Sequence, residues 1–146
     1  MQKTLVCAEN ITVSFGARTL FHIEKIEIHE GDRIGLVGLN GSGKTTLLEL
    51  LSGSVKPDEG TLMLGCKPAY FRQLSDDDKN DVAAEELSLF GVKELEGKDT
   101  VSGGEGTRFR LAEMFSVESP LYLIDEPTSH LDEEGVSYLG QRLWSI

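Results

Sequence analysis

The residues best suited to chemistry in this sequence lie in one short loop. Residues 38–45 read GLNGSGKT, which has the G-x-x-x-x-G-K-[ST] spacing of a phosphate-binding loop. Backbone N–H groups must surround the phosphates, and a Cβ at Gly41 or Gly43 would block their close approach. The Lys44 ammonium would reach the β and γ phosphates, and the Thr45 hydroxyl would ligate Mg²⁺. The loop therefore predicts binding of a nucleoside triphosphate with Mg²⁺.

Such a loop needs a strand before it and a helix after it. Residues 34–37 are an apolar run that predicts the strand, and residues 46–51 predict the helix. This context makes a chance match of the octapeptide in a glycine-rich turn less plausible.

An acidic pair follows a second apolar run near the carboxyl end. Residues 121–126 read LYLIDE, in which four apolar residues lead into Asp125 and Glu126, and Pro127 follows. A buried strand that ends in carboxylates places them at the carboxyl edge of a sheet, where open α/β folds bind ligands. We expect Asp125 to hold Mg²⁺ through water and Glu126 to act as general base on an attacking water. The alternative, a solvated turn after a core strand, is disfavoured by the flanking residues.

A third pattern, VSGGE at residues 101–105, predicts the start of a helix. Ser102 and Glu105 form an S-x-x-E capping box, and the helix would continue through Ala112. Its amino end offers free N–H groups, a helix dipole and the Ser102 hydroxyl, and Gly103 and Gly104 let an anion come close. Taken alone, the pattern favours an ordinary capped helix without a ligand.

The order of these motifs resembles that of the ATP-binding-cassette (ABC) ATPases. GLNGSGKT resembles the Walker A motif, YFRQ the Q-loop, VSGGE the LSGGQ signature, LYLIDE the Walker B motif and SHLD the D-loop. The five motifs cover nearly the whole chain. The resemblance implies an α/β fold of the P-loop NTPase type, with a mixed or parallel core sheet, an N-terminal antiparallel β subdomain and a reduced helical subdomain.

The resemblance also implies a role for each matched residue. The ATP-binding residues would be Phe15, Gly38, Leu39, Asn40, Gly41, Ser42, Gly43, Lys44, Thr45, Thr46 and Gln73. The Mg²⁺ site would comprise Thr45, Gln73 and Asp125, and Glu126 would be the catalytic base. The signature residues, which serve the nucleotide of an opposite domain in a head-to-tail sandwich, would be Ser102, Gly103, Gly104 and Glu105. The D-loop would be Ser129, His130, Leu131 and Asp132. A second ABC domain, in the same chain or a dimer, is therefore an expected partner.

Two of these assignments have open alternatives. Phe15 lies where ABC domains usually place an aromatic that stacks on adenine, but a phenylalanine there is equally compatible with a core position. Asn40 would point its amide at the phosphates, or it would simply tolerate the unusual backbone angles of a tight loop.

The family branch is indicated by the D-loop and by spacing. Transporter domains usually read S-A-L-D and the soluble ABC-F family usually reads N-H-L-D, so His130 favours ABC-F and Ser129 favours transporters. Only 29 positions separate Gln73 from Ser102. That length is short for the helical subdomain that receives a transporter's coupling helix, and it excludes the inserted arm of many translation-factor ABC-F members. The chain resembles the first domain of antibiotic-resistance ABC-F proteins that act on the ribosome.

Composition is typical of a cytoplasmic enzyme domain. The 146 residues suffice for one domain with a real core. We find no signal peptide, no apolar run as long as a membrane span and no metal-ligand spacing at Cys7 or Cys66. The formal net charge of −11 argues against direct nucleic-acid binding by this chain, so ribosome contacts would use other parts. The most acidic residues, predicted to form a solvated helix face, are Asp76, Asp77, Asp78, Asp81, Glu85 and Glu86.

Patterning predicts the remaining elements. Strands are expected at residues 5–8, 11–15, 21–28, 61–64 and 69–71. A helix is expected within residues 75–97, with Ser75 and Asp78 as a capping box and Gly91 as a stop. A final helix after Asp132 would place Val136, Leu139 and Leu143 on one face. His22 and His29 are expected to face solvent.

These elements divide one ABC domain into four parts. Residues 1–33 are mainly antiparallel β structure, 34–73 run from Walker A to the Q-loop, 74–101 form the reduced helical subdomain, and 102–146 carry the signature helix, Walker B and D-loop. The resemblance implies a further strand and a switch histidine, which no residue here matches. That strand lies in mid-sheet in the family, so we expect a piece of a longer protein or a truncated frame, inactive as an ATPase alone.

Three functions remain open on the sequence. The first is ATP hydrolysis, in the complete protein, by an ABC-F ATPase acting on the ribosome in translation or antibiotic resistance. The second is the ATP-binding subunit of an ABC membrane transporter, partnered by a membrane permease. The third is a fragment that binds ATP without hydrolysing it.

Overall fold

The computed structural model describes residues 1–72, 83–93 and 103–146. These residues form two compact units. The loop unit comprises Met1–Pro68 with Ser119–Asp125, and the helical unit comprises Ala69–Glu118 with Glu126–Ile146. Several predicted features lie outside the described residues: Gln73, the Ser75 and Asp78 capping box, the acidic residues 76–78 and 81, and Ser102.

The loop unit is built on a three-stranded antiparallel sheet. Its strands are β1 (Thr4–Phe15), β2 (Arg18–His29) and β3 (Glu59–Leu64), in the order β2-β1-β3. The unit also holds helix α1 (Lys44–Leu51) and strand β5 (Tyr122–Ile124). The Ser119 hydroxyl oxygen lies 3.0 Å from the Lys67 carbonyl oxygen and 2.9 Å from that of Leu121, so its single proton is shared between two acceptors, and the Lys67 contact links the segment carrying β5 to residues 1–68.

The central strand β1 supplies much of the unit's core. Its buried side chains are Leu5, Val6, Ala8, Ile11 and Val13. The two strands predicted at residues 5–8 and 11–15 are one continuous strand with a register shift between Glu9 and Thr12. Asn10 there adopts a left-handed conformation (φ 51°), so the break in the hydrophobic alternation marks an irregularity within a strand.

The strand predicted at residues 34–37 is absent from the structure. Residues 33–40 form no strand and are all exposed, with Val37 at 95%. Apolar composition makes a strand only where a neighbour supplies ladder hydrogen bonds, and no strand among the described residues pairs with this segment. The prediction was wrong because it rested on a local pattern alone.

The helical unit contains strand β4 (Ala69–Phe71), α2 (Ala84–Leu89), α3 (Gly103–Ser116), a 3-10 helix (Pro127–His130) and α4 (Glu133–Ser145). Its buried aromatic centre is Phe90, which stacks on Phe115 with centroids 5.9 Å apart and meets the edge of Tyr138 at 6.5 Å. Helix α2 ends just before Gly91, where φ is 65°, as the glycine stop predicts. None of the helices in the described parts of the chain combines the length and hydrophobicity that a membrane span requires.

One of two predictions about helix faces is corrected in this unit. Helix α4 forms after Asp132 as predicted, and Val136, Leu139 and Leu143 share one of its faces by their spacing, with Leu139 buried and the other two 43% and 39% exposed. Glu86, expected on a solvated face, lies on α2 against α4, where Arg142 Nε donates to its Oε1 at 2.8 Å. Glu86 therefore forms an ion pair with a cation that is distant in sequence, although it belongs to an acidic stretch.

Candidate functional site

Glycines shape the loop that precedes α1. Gly43 is the residue before the helix and has φ 100°, and Gly41 has φ 78°, a region that side-chain-bearing residues rarely adopt. A Cβ on Gly43 would lie 2.9 Å from a ring carbon of Phe21 and 3.1 Å from Leu20. Side chains of β2 therefore pack directly against the loop, so the antiparallel sheet fixes where the loop sits.

The Lys44 side chain folds back over the same loop. Its ammonium donates hydrogen bonds to the carbonyl oxygens of Gly38 (2.6 Å) and Leu39 (3.0 Å). The Ser42 amide also donates to the Leu39 carbonyl, at 3.1 Å. The carbonyl oxygens of the loop therefore hold the Lys44 ammonium against the loop backbone. Asn40 and Ser42 are exposed on it, and Thr46 is half-buried in the first turn of α1.

A hydroxyl and a carboxylate meet beside the loop. Thr45, in the first turn of α1, donates a 2.7 Å hydrogen bond from Oγ1 to Oδ2 of Asp125, which directly follows β5 and is buried. Both groups are the oxygen ligands that Mg²⁺ prefers. No group of three or more His, Cys, Asp or Glu side chains in the described residues is arranged to hold a metal. The pair suits an ion that takes one or two protein oxygens and completes its shell with water and phosphate.

Phe15 ends β1, and its side chain is 86% exposed. The structure therefore does not place it in the core, which was one of its two predicted roles. Stacking on a nucleobase stays a prediction.

The helical unit carries the remaining predicted residues. Gly103, Gly104 and Glu105 form the first turn of α3, and a Cβ built on Gly104 would lie 3.6 Å from the carbonyl oxygen of His130. The first turn of α3 and the end of the 3-10 helix are therefore close neighbours. His130 itself is exposed.

Glu126, the predicted base, and Asp132, the last residue of the predicted D-loop, lie at the two ends of the segment that links β5 to α4. Glu126 is exposed and adopts φ 42°, ψ 53°, and its carbonyl accepts hydrogen bonds from the Ser129 amide (3.3 Å) and hydroxyl (2.9 Å). Asp132 caps α4, because its Oδ1 accepts from the Gly135 amide at 2.9 Å. A non-glycine residue held in a left-handed conformation is the kind of strain found at functional sites.

Three residues in contact with the predicted sites were not assigned roles from the sequence. Leu20 and Phe21 pack against the phosphate loop, and Arg108 lies buried beside Asp132. For Arg108 the available signal was its place three and four positions before buried Leu111 and Ala112, on the inward side of an amphipathic helix.

A protein-family model described as ABC transporter matches residues 21–129. The chain belongs to this family. The match includes the Walker A loop, the signature and the Walker B motif, which the sequence analysis identified by resemblance.

Curated relatives point to one branch of the ABC family. The chain is 38% identical over 124 residues to "Erythromycin resistance ATP-binding protein MsrA" of Staphylococcus epidermidis, covering 84% of this chain and 25% of that protein. It is 34% identical over 146 residues to "Ribosome protection protein VmlR" of Bacillus subtilis, covering 97% of this chain and 26% of that protein. These relatives are ABC-F proteins, and the predicted resemblance to ABC-F is confirmed. The chain spans about a quarter of their length.

A solved structure confirms the fold class. The structure titled "RNase-L Inhibitor" superposes on 95% of this chain, and on 31% of its own, with a TM-score of 0.81 at 29% sequence identity. The predicted α/β fold of ABC P-loop type is therefore correct.

Proposed function

We propose that this chain is the ATP-binding part of an ABC-F ATPase, which binds Mg-ATP and, in the complete protein, hydrolyses it while acting on the ribosome. The observation that carries the proposal is the hydrogen bond between Thr45 and Asp125, 80 positions apart in the chain. A hydroxyl of the Walker A loop and a carboxylate of Walker B that are 2.7 Å apart, beside the loop that holds Lys44, support the proposal that both serve one Mg²⁺.

Each of the predicted nucleotide-binding residues has a distinct part in this proposal. The Lys44 ammonium exchanges its two carbonyl acceptors for phosphate oxygens, which are stronger partners because they are charged. Backbone N–H groups of residues 38–46 bind the remaining phosphate oxygens. Thr45 and Asp125 would hold Mg²⁺, which would neutralise charge on the phosphates, and the family resemblance assigns Gln73 to the same ion. Phe15 offers its exposed ring to the base.

Glu126 is proposed as the general base. Its carboxylate would accept a proton from the attacking water. The amide and hydroxyl of Ser129 both donate hydrogen bonds to the backbone carbonyl oxygen of Glu126. Residues 102–105 and 129–132 are proposed to serve the nucleotide of a second ABC domain. Electrostatic stabilisation of the transferred phosphoryl group is usually the largest contribution to catalysis of such reactions. Because the second domain would supply part of that stabilisation, hydrolysis would require both domains.

The ribosome is the proposed target because of the relatives' names, which include a ribosome protection protein and an erythromycin resistance protein. A cytoplasmic location accompanies that target. The net charge of −11 is unfavourable for contact with RNA, so the ribosomal contacts are assigned to other parts of the complete protein. A transporter subunit is the less favoured function, since the curated relatives described above are ABC-F proteins.

Isothermal titration calorimetry tests the nucleotide-binding step. In the complete protein, Lys44→Ala should abolish the heat of ATP binding at this site, because the ammonium is the main charge that meets the phosphates. The matched control is Lys56→Ala, which removes an exposed lysine of the same unit and should bind ATP as the wild type does. Unchanged ATP affinity in Lys44→Ala would contradict the assignment.

Co-sedimentation tests the ribosomal target separately. A variant that binds ATP without hydrolysing it, Glu126→Gln, should pellet with ribosomes in ATP and much less in ADP. Equal recovery with both nucleotides, or none with either, would argue against the ribosome while leaving ATP binding intact.

A further inference from the structure

Arg108 is an unusual buried charge in the helical unit. It lies on α3, and its side chain is only 11% exposed. Its Nη1 donates to the carbonyl oxygen of Phe90 at 3.4 Å, and its guanidinium faces Asp132 (Nη2 to Oδ2, 3.7 Å) and Glu134 (Nη1 to Oε2, 3.9 Å). Within the described residues its buried Nε has no hydrogen-bond partner. Its polar contacts to the described residues are long, so those residues satisfy the guanidinium incompletely.

Arg142 in the same unit shows what a stabilising arginine looks like. Its Nε donates to Glu86 at 2.8 Å, both side chains are less than one-fifth exposed, and its guanidinium lies 4.9 Å from the centre of the Phe115 ring. The partners of Arg108 are more exposed than this, at 51% for Asp132 and 73% for Glu134. Exposed partners at long range return little of the cost of burying a charge. Stability therefore accounts poorly for a charged residue at position 108.

The location of Arg108 suggests a different role. Its guanidinium touches the end of α2, and it faces the carboxylate of Asp132, the last residue of the predicted D-loop. The other oxygen of that carboxylate caps α4 through the Gly135 amide. Gly135 is tightly enclosed: a Cβ there would lie 2.8 Å from both Asp132 Oδ1 and Leu131 Cδ2, and 3.2 Å from Arg108 Cγ. Asp132 is thus held between the cap of α4 and the buried guanidinium.

The same two segments are also neighbours at their other end. A Cβ built on Gly104, in the first turn of α3, would lie at van der Waals distance, 3.6 Å, from the His130 carbonyl oxygen. The D-loop therefore lies beside α3 near Gly104 and faces the Arg108 guanidinium one turn further along.

We propose that Arg108 is a positioning residue, whose guanidinium holds the D-loop (residues 129–132) in register with the first turn of α3 so that both segments meet the nucleotide of the opposite domain together. The proposal rests on the proposed function. It assigns Arg108 no contact with nucleotide. Loss of the guanidinium should therefore leave ATP binding at the Lys44 loop intact and slow the step that needs the D-loop and the signature residues in place.

Steady-state kinetics of the complete protein separate this role from a structural one. Arg108→Met keeps the length and apolar stem of the side chain without its charge. We expect kcat to fall about tenfold or more, because small misplacements of positioned groups cost up to roughly 10²-fold, while KM stays within about twofold. Arg108→Lys, which keeps a charge able to reach one carboxylate, should recover part of kcat.

Arg142→Met is the matched control. It removes the better-paired buried arginine of the same unit, so it should lower the melting temperature at least as much as Arg108→Met does and leave kcat within about twofold of the wild type. The positioning role is wrong if Arg108→Met keeps wild-type kcat, or if both variants lose kcat equally.

Gly135→Ala tests the same junction without replacing the arginine. The added Cβ must displace the side chains of Asp132 and Leu131, both in the D-loop, so kcat should fall with KM unchanged, and this variant replaces Arg108→Met if the latter does not fold. Wild-type kcat in Gly135→Ala would overturn the proposal. Calorimetry on the wild type is run in parallel: a protein that binds no ATP contradicts the proposed function itself, whereas normal binding and turnover in every variant contradicts only the role of Arg108.

Discussion

The Thr45 hydroxyl donates a 2.7 Å hydrogen bond to the buried carboxylate of Asp125. Thr45 is presented by the first turn of α1, and Asp125 follows the short strand β5. The two elements are distant in sequence, so the bond exists only because the loop unit folds as a whole.

Asp125→Asn should make ATP binding insensitive to Mg²⁺. The amide preserves the shape of the side chain and its bond to Thr45, but it removes the negative charge that attracts the ion. We expect the wild-type Kd for ATP to rise when EDTA removes Mg²⁺, and the Asp125→Asn Kd to be the same with and without EDTA.

Glu30→Gln is the control for this prediction. It removes an exposed carboxylate of the same unit, and its Mg²⁺ dependence should match the wild type. An Asp125→Asn protein that still gains affinity from Mg²⁺ would show that other groups hold the ion.

Local patterns predicted the elements whose structure depends on neighbouring residues. The glycines of residues 38–45 and the helix after them follow from the loop motif, and the Gly91 stop and the final helix after Asp132 follow from preferences within a few positions. The pairing of Thr45 with Asp125 was also expected, because both were assigned to one Mg²⁺ through the family resemblance.

Contacts between distant residues were not predictable in the same way. Residues 34–37 are as apolar as a buried strand, yet they form none, since strand formation requires a partner that the local sequence does not specify. Glu86 lies in an acidic stretch, and the residues near it in sequence do not predict its pairing with Arg142, 56 positions later. The helical spacing of Arg108 to Leu111 and Ala112 indicates an inward position, but it does not identify Asp132 and Phe90 as its partners.

Glu126→Gln should leave ATP binding intact and stop turnover at this site in the complete protein. The amide keeps the size of the side chain but cannot accept a proton from water, and general-base catalysis contributes about 10²- to 10⁴-fold. We expect kcat to fall by about 10²-fold or more, with the calorimetric Kd for ATP unchanged. Single-turnover release of phosphate measures the effect at this site.

Glu133→Gln is the matched variant for Glu126→Gln. It alters an exposed glutamate in the first turn of α4, close in sequence to the D-loop, and its turnover should stay at the wild-type rate. Turnover in Glu126→Gln that equals the wild type would mean that another group accepts the proton.

Glu86→Gln should destabilise the helical unit. The carboxylate and Arg142 are paired at 2.8 Å and mostly buried, so removing one charge leaves the other without compensation. Breaking such a pair costs roughly 3 kcal/mol in the free energy of unfolding, measured by urea denaturation. The neighbouring exposed carboxylate provides the control, Glu85→Gln, with an expected change within about 0.5 kcal/mol.

A double variant distinguishes a lost ion pair from lost packing. Glu86→Leu with Arg142→Met replaces both charges by apolar groups, so it should recover most of the stability that Glu86→Gln loses. If the double variant is no more stable than Glu86→Gln, the stabilisation comes from the Arg142 stack on Phe115 rather than from the charge pair.

Glu113→Gln should stabilise the protein at neutral pH and have less effect in acid. Partial burial on α3 raises the pKa of the Glu113 carboxyl above its usual value, and nearby Arg110 opposes part of that rise. A pKa that is higher in the folded than in the unfolded state means that folding favours the protonated carboxyl. The stability that this group contributes is therefore fully present below its unfolded pKa, and it is lost as the pH rises through its folded pKa. Glutamine stays neutral throughout. The melting temperature of Glu113→Gln should therefore exceed that of the wild type at pH 7, and the difference should shrink towards pH 4.

The exposed Glu118, two residues beyond α3, supplies the control variant Glu118→Gln, whose difference from the wild type should stay small at both pH values. A Glu113→Gln difference that does not change between pH 4 and pH 7 would show that the carboxyl titrates alike in the folded and unfolded chains.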